Sequence, residues 1–458
     1  MRSARLMLRR KALCLFSVLF LLFVQISFSQ DNSPYSRYGL GDVAPNTNVV
    51  NRGMGGISAA YSDFLSINSN NPASYSNFLT KPQANSRKID YGRVILDAAI
   101  NYDNRTLRSP NQPEKFTASN IFFSYVQLGI PLRRNWGFSF GLRPLSRVDY
   151  KIARREGLHD PITGNFIDSA YTEFSGDGGS FLPSIGTGFA IKNFSAGVNF
   201  GYLFGKKQNT TKRSLFNDSD SIFYNSSNYT TRSSFGDIFF NAGAQYKITI
   251  NKQTFLRLGI SGNLERNLKA TQDILRETYI PDPTSGDFQL DSVYEKNNIK
   301  GEIAYPASYN LGFVVEHQQE KASSWLFGAD FIQNKWNNYR FFGSTDSVED
   351  NWQLRVGAQL RPKPAQNYFS NVAYRVGFFA GPEYIKISEE LPQYGISFGA
   401  GLPIANYNRL AQGQYTIINL AFEYLRRGNS DNRLQENLFR LSIGLNFSDL
   451  WFRKKKYD

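Results

Sequence analysis

The stretch Phe194-Ser195-Ala196-Gly197-Val198-Asn199-Phe200-Gly201-Tyr202-Leu203-Phe204 alternates strictly. Successive side chains on a strand point to opposite faces. Phe194, Ala196, Val198, Phe200, Tyr202 and Phe204 therefore share one face, and Ser195, Gly197, Asn199, Gly201 and Leu203 the other. Trp136, Phe138, Phe140 and Leu142 repeat the pattern against Gly137, Ser139, Gly141 and Arg143. Trp352, Leu354, Val356, Ala358 and Leu360 do so against Gln353, Arg355, Gly357, Gln359 and Arg361. The apolar faces carry no charge over about ten residues, the length that takes a tilted strand across a bilayer. A soluble two-sheet sandwich also alternates, but its strands are usually about five or six residues long. The reading is an all-β chain: a 14-stranded antiparallel transmembrane β-barrel with a polar lumen.

The links between strands support the count. Fourteen strands are read between residues 94 and 448. Short links fall at 132–134, 193, 251–253, 318–322, 363–369 and 405–413. Longer ones fall mostly between them, notably 146–179, 206–235, 277–298 and 335–349, rich in Asn, Ser, Asp and Thr. Short periplasmic turns and long external loops mark outer-membrane barrels, and an even count places both termini in the periplasm. Pro183 and Pro306 interrupt two apparent strands. Each loses a ladder hydrogen bond, which reads as a bulge or strand end at the outer rim, or as a gap through which an apolar ligand leaves sideways.

The ends of the chain speak to its compartment. Arg2, Arg5, Arg9, Arg10 and Lys11 precede an apolar run from Ala12 to Val24, and Ser27 and Ser29 offer small residues for cleavage. That is a three-part secretory signal over residues 1–29, too short in its apolar run to span. The sole cysteine, Cys14, leaves with it, so no disulfide or Cys-ligated metal is expected. The signal holds five of the formal net charge of +14, leaving +9 for residues 30–458. These basic residues are scattered, which suits a surface near anionic membrane lipid rather than nucleic acid. At the other end, Phe439, Leu441, Ile443, Leu445 and Phe447 form the lipid face of the last strand. Ser442-x-Gly444-x-x-Phe447 is partly similar to the C-terminal pattern that barrel-assembly machinery reads during insertion. A basic tail, 449–458, follows with Arg453-Lys454-Lys455-Lys456.

Residues 30–90 read differently from the barrel at 91–448. Alternation is poor, and Gly, Asn, Ser and Pro are frequent. Arg52-Gly53-Met54-Gly55-Gly56 leads to Asn71-Pro72-Ala73, small residues that permit tight turns and close packing. A barrel larger than eight strands is open or plugged, so this segment is expected to be an N-terminal hatch. Gly53, Gly55, Gly56, Asn71, Pro72 and Ala73, placed before the first strand, resemble the hatch of the long-chain fatty-acid transporter family of outer-membrane proteins. That family has fourteen strands. The resemblance implies passage of hydrophobic small molecules, such as long-chain fatty acids, across the outer membrane. The Ser-Gln cleavage site is of a kind frequent in Bacteroidetes.

No catalytic chemistry is legible. His159, beside Asp160 in an outer loop, reads as a solvated histidine, and His317 lies near a periplasmic turn. No metal or cofactor site is expected, and the glycines near Gly53 lack the Lys-Ser/Thr of a phosphate loop. Inward Arg143, Arg257, Arg355, Arg375 and Arg440 face Asp97, Asp330 and Glu423 across the lumen in this reading. They form either a structural ladder holding the hatch or a grip on an anionic head group. The alternative function is a non-transporting barrel that partners other envelope proteins or secretion machinery through its loops or tail.

Overall fold

The computed structural model describes residues 33–82, 89–110, 114–159, 161–217, 224–282, 284, 286–319, 322–387, 389–404 and 414–451. The signal, Asp160 and the basic run Arg453–Lys456 lie outside the described residues. Fourteen antiparallel strands follow in chain order: β1 Ile89–Arg108, β2 Lys115–Arg133, β3 Trp136–His159, β4 Phe166–Ile191, β5 Phe194–Phe216, β6 Ser226–Thr249, β7 (Thr254–Asn263 and Arg266–Ile280), β8 (Phe288–Tyr305 and Ser308–His317), β9 Ser324–Asn334, β10 Asn351–Arg361, β11 Ala373–Lys386, β12 Glu390–Ile404, β13 Tyr415–Arg427 and β14 Gln435–Trp451. Pairing of β14 with β1, from Gln435 opposite Arg108 to Trp451 opposite Gly92, closes the barrel. Closure satisfies each strand's backbone without water, as a bilayer requires.

Alternation decides which face meets lipid. Phe194, Phe200, Tyr202 and Phe204 are 42–51% exposed, whereas Ser195 and Asn199 are 8% exposed and Leu203 is fully buried. Bulky apolar side chains thus point outward, and small or polar ones point in.

Among the described residues most of the stretches 146–179, 206–235 and 277–298, expected as loops, is instead strand: 146–159, 166–179, 206–216, 226–235, 277–280 and 288–298. They extend the hairpins β3–β4, β5–β6 and β7–β8 far beyond the bilayer. β4 has 26 residues, roughly 85 Å of extended chain, against a hydrocarbon core of about 30 Å. The buried positions of these extensions hold small and polar residues such as Asp168, Ala170, Thr172, Ser226 and Thr230, so the apolar alternation is lost and their sequence resembles a loop. Cross-strand pairs hold them instead: Thr210 with Thr230, Ser214 with Ser226, and Ser234 with Thr271. Arg276 lies over Tyr229 and Tyr294. The tail is also shorter than expected, because β14 continues to Trp451.

The wall is not uniform. β2 and β3 pair only between Val126–Leu142 and Arg133–Trp136. Beyond that level Asp42–Val43 of the N-terminal segment pairs with Arg147 and Ser146 of β3. The β6–β7 ladder is interrupted between Ala242–Gly262 and Gly236–Lys269. Pro306 sits in a break in β8, and Pro183 sits where the β4–β5 ladder skips from Phe181–Phe204 to Ser184–Gly201. Both prolines are therefore within the wall, not at the outer rim. Outside the membrane β3 to β8 stand as an open six-stranded sheet.

Candidate functional site

Residues 33–78 bond to inward-facing groups on strands all around the wall. A short helix, Val49–Arg52, starts at Asn48, whose side chain accepts from Asn51 N at 2.8 Å. Its last residue, Arg52, is 1% exposed. The guanidinium donates to the carbonyls of Thr47 and Pro45, to Asn101 Oδ1, and to the hydroxyls of Ser124 and Ser442. All five N–H groups find acceptors, on the segment itself and on β1, β2 and β14. The chain then turns through Gly55 at φ +66° and Gly56 at φ +83°, a conformation that glycine adopts without cost. A Cβ on Gly55 would stand 2.8 Å from the carbonyl oxygens of Val356 and Phe378.

The next part settles on β4 to β9. Asn71 caps the 3-10 helix Pro72–Asn77 by accepting from Ala73 N at 3.1 Å, and it donates to Ala59 O. Pro72 lies on two wall glycines: a Cβ on Gly188 would come within 2.2 Å of Pro72 O, and one on Gly197 within 2.4 Å of Pro72 C. Asp330, 1% exposed, accepts from Ser58 N at 2.6 Å, Ala59 N at 2.8 Å and Asn310 Nδ2 at 3.2 Å.

The five arginines face inward; Arg355 stands opposite Asp330 and Arg440 opposite Glu423 on neighbouring strands, but their hydrogen bonds go to other groups. Arg143 donates to Asn46 O at 2.8 Å and Asn70 Oδ1 at 3.1 Å. Arg355 donates to Gly56 O at 2.9 Å and Gln353 at 2.6 Å. Arg257 reaches Ser62 O and Glu316. Arg375 bonds Gln359 and Asn419. Arg440 holds Asp103 through two 2.7 Å bonds. Asp97 accepts instead from Tyr125, whose hydroxyl accepts from Val49 N. Glu423 Oε2 is buried without a hydrogen-bond partner. Of these acids Asp330 is engaged by the segment's own amides, Ser58 N and Ala59 N.

A buried charge cluster ties the segment to the barrel. Asp42 lies 2.6 Å from Arg105 and 3.1 Å from Arg427; Glu436 lies 3.1 Å from Arg105 and 3.3 Å from Arg427; Glu383 lies 3.1 Å from Arg427. Burial raises the Asp42 carboxyl, but the Arg105 and Arg427 guanidiniums outweigh it and hold the carboxyl well below the usual range. Asp63, paired with Arg361 at 2.7 Å, is likewise held down against its burial.

Between segment and wall lies a cavity of about 280 Å³. Its lining includes Phe239, Tyr305 and Trp336, and also Arg143, Arg355 and Glu423. Asn241, Asn263, Pro306 and Ala307 bring it to the wall where the β6–β7 and β7–β8 ladders are interrupted. Among the described residues, Arg143 and Arg355 form hydrogen bonds only with neutral groups. An apolar cluster joins Leu182, Leu203, Phe239, Leu268 and Tyr384 of the wall to Tyr35 and Leu40 of the segment and to Trp336. Such a chamber suits a molecule with an apolar body and an anionic end.

Sequence reasoning missed Arg52, the amide-holding role of Asp330 and the Asp42–Arg105–Arg427 cluster. Arg105, Arg427 and Glu436 do carry a signal: they are charges at inward positions of alternating strands. His159 closes β3 edge-on to Phe166, and His317 stacks on Trp325 beside Thr254. Among the described residues no group of His, Cys, Asp and Glu is arranged to hold a metal.

The family model described as BamG matches residues 7–458. No curated protein matches the chain. Among solved structures it is similar to the CymD monoaromatic hydrocarbon channel, with 13% identity and TM-score 0.48 over 89% of this chain and 98% of that one. A Pseudomonas aeruginosa FadL homologue gives 14%, 0.48, 90% and 100%. The P. putida toluene transporter TodX gives 13%, 0.48, 88% and 98%.

Proposed function

As the chain belongs to the BamG family, we propose that it is an outer-membrane barrel whose N-terminal segment acts as a hatch and whose chamber takes up a hydrophobic small molecule. The observation that carries this is the chamber itself. It combines Phe239, Tyr305 and Trp336 with Arg143 and Arg355, guanidiniums that have no carboxylate partner among the described residues. The interrupted ladders beside it supply a route toward the bilayer rather than straight through the sealed lumen. A long-chain fatty acid meets these requirements: its chain lies on the aromatics and its carboxylate between the arginines. Titration with brominated fatty acid tests the proposal. Quenching centred on Trp336, lost in Trp336→Phe and weakened at least tenfold in Arg143→Gln/Arg355→Gln, is expected. Unchanged uptake of labelled fatty acid in a deletion strain removes the transport part.

A second reading is a barrel that acts as an envelope-protein partner, in association with barrel-assembly machinery. The BamG match and the sheet standing beyond the membrane favour it. Purification from native membranes separates the two. A stoichiometric protein partner on a chamber empty of lipid supports the second reading and overturns the first.

A further inference from the structure

On β5 the outward apolar positions run from Phe194 to Phe204, about the length that covers a lipid-facing band roughly 25 Å tall. The next outward position is Lys206, which therefore stands at the level of the outer headgroups. Ladder partners carry this level across three more strands: Lys206 faces Ser234 of β6, Ser234 faces Thr271 of β7, and Thr271 faces Lys300 of β8. Arg232 and Lys269 lie two residues from Ser234 and Thr271, on opposite sides of that pair. We propose that these four cations, with the hydroxyls between them, hold the phosphate of an outer-leaflet lipid.

The side chains share one face. Lys206, Arg232, Ser234, Lys269 and Lys300 are exposed, while Lys207, Ser233, Phe235, Leu268 and Ala270 beside them are buried. The Ser234 and Thr271 hydroxyls lie 2.8 Å apart. A Cβ on Gly236 would come within 2.8 Å of the Tyr202 hydroxyl, so a third hydroxyl lies over that glycine, which faces Lys269. Each of the four cations is a direct or diagonal neighbour of the Ser234–Thr271 pair, about 5–8 Å away. Arg266 adds a fifth charge at the border, its guanidinium 5.5 Å from the centre of the Phe240 ring. The cations are open to a ligand. Among the described residues Lys269 and Lys300 form no hydrogen bond or ion pair. Arg232 engages Gln208 through Nε alone, at 3.1 Å. Lys206 meets Asp177 only at 4.0 Å, with the two side chains 76% and 61% exposed. Two more acids stand close, Glu302 opposite Lys269 and Asp273 opposite Arg232; Asp273 accepts from Asn298 N at 2.7 Å. Lysine meets phosphate as a point charge, and hydrogen bonds to its charged oxygens are strong. Position selects the lipid as its source. A basic cluster at a membrane surface collects anionic headgroups, and the acyl chains of such a lipid fall on the outward faces of Phe204, Ile238 and Phe240, all exposed. None of the four cations lines the chamber, so the site is independent of what the chamber binds.

The test titrates the purified full-length barrel, in detergent micelles, with bisphosphorylated lipid A and counts the retained lipid by native mass spectrometry. One retained molecule is expected, with the fully dephosphorylated lipid held at least tenfold more weakly. Lys206→Gln/Lys269→Gln/Lys300→Gln should weaken lipid A binding at least tenfold. Lys206→Arg/Lys269→Arg/Lys300→Arg should retain it, because the charges stay. Lys192→Gln/Lys252→Gln, at exposed periplasmic turns, should leave it unchanged. Heat-dependent gel mobility verifies that each variant is a folded barrel. Equal retention of the dephosphorylated lipid would overturn the proposal. So would a glutamine variant that binds as the native chain does, or an equal loss in the arginine variant. Displacement of lipid A by an equal concentration of inorganic phosphate would also overturn it, by assigning the patch to the free anion.

Discussion

Arg52 is the residue on which the lumen is organised. Its five bonds reach two carbonyls of its own segment and three wall side chains. Arg52→Met keeps the bulk but leaves those acceptors buried and unpaired. Such a loss costs on the order of 3 kcal/mol. Urea unfolding in lipid vesicles should register it, and protease should then cut within residues 33–78, which the native barrel protects. Arg440→Met should leave that protection intact, because its bonds go to Asp103 on the wall. Asp42 predicts the pH response. Its carboxyl titrates below the ordinary range in the folded state, so its contribution is complete above about pH 4, the unfolded value. It is lost as pH falls further, through the folded value. Protease protection of the segment should thus stay flat from pH 8 to about 4 and weaken only in stronger acid. Asp42→Asn should reduce that acid dependence, leaving the part that Asp63 contributes through Arg361, and lower protection at neutral pH. A midpoint of release near pH 6 would contradict the assignment.

At the scale of elements, Gly188 and Gly197 are small because Pro72 rests on them. Gly197→Val should therefore displace the segment while the outward aromatics of β5 stay in lipid. The readout is protease access to residues 33–78 in a barrel that keeps its heat-dependent mobility. Equal protection in the variant would mean that Pro72 does not depend on this seat. The hairpin β7–β8 tests the other half of the molecule. Its far end lies beyond the pairing of Leu275 with Glu295 and is exposed at Phe288, Leu290, Val293 and Tyr294. Replacing 276–294 by a two-residue Asn-Gly turn should leave insertion and thermal stability of the barrel unchanged in the same gel assay. These two elements also mark what the sequence made legible. Strands crossing the bilayer were readable because one face must be apolar, as at Phe194–Phe204. The hairpin ends were not, because their buried positions hold polar or small residues such as Asp168, Thr172, Ser226 and Thr230 and so carry no apolar period. Likewise Arg143 and Arg355 were recognisable as inward from alternation alone. Their partners Asn46 O and Gly56 O were not, since a backbone carbonyl leaves no mark in the sequence and lies about a hundred or more positions away.

For the whole molecule, the barrel and its contents divide the labour. Fourteen strands enclose more space than their own inward side chains fill. The N-terminal segment occupies that space with groups whose polar atoms are bonded to the wall: Arg52 on one side, Ser58 and Ala59 on Asp330 on the other. The apolar cluster of Leu203, Phe239, Trp336 and Tyr384 adds a dry layer. A solvated ion crossing this interior would have to break buried hydrogen bonds or shed its water in an apolar layer, both costly. The intact protein in a planar bilayer should therefore show no steady ion current. Seating of the segment, not the width of the wall, is what prevents conduction. Arg52→Met combined with Gly197→Val, which loosen the segment at two separated anchors, should convert the silent barrel into one with frequent open events. Either substitution alone should give few, since the other anchor still holds. Steady conductance from the unmodified chain would mean that the segment does not seal the lumen. A silent double variant that remains a folded barrel would place the seal elsewhere, in the layer around Trp336.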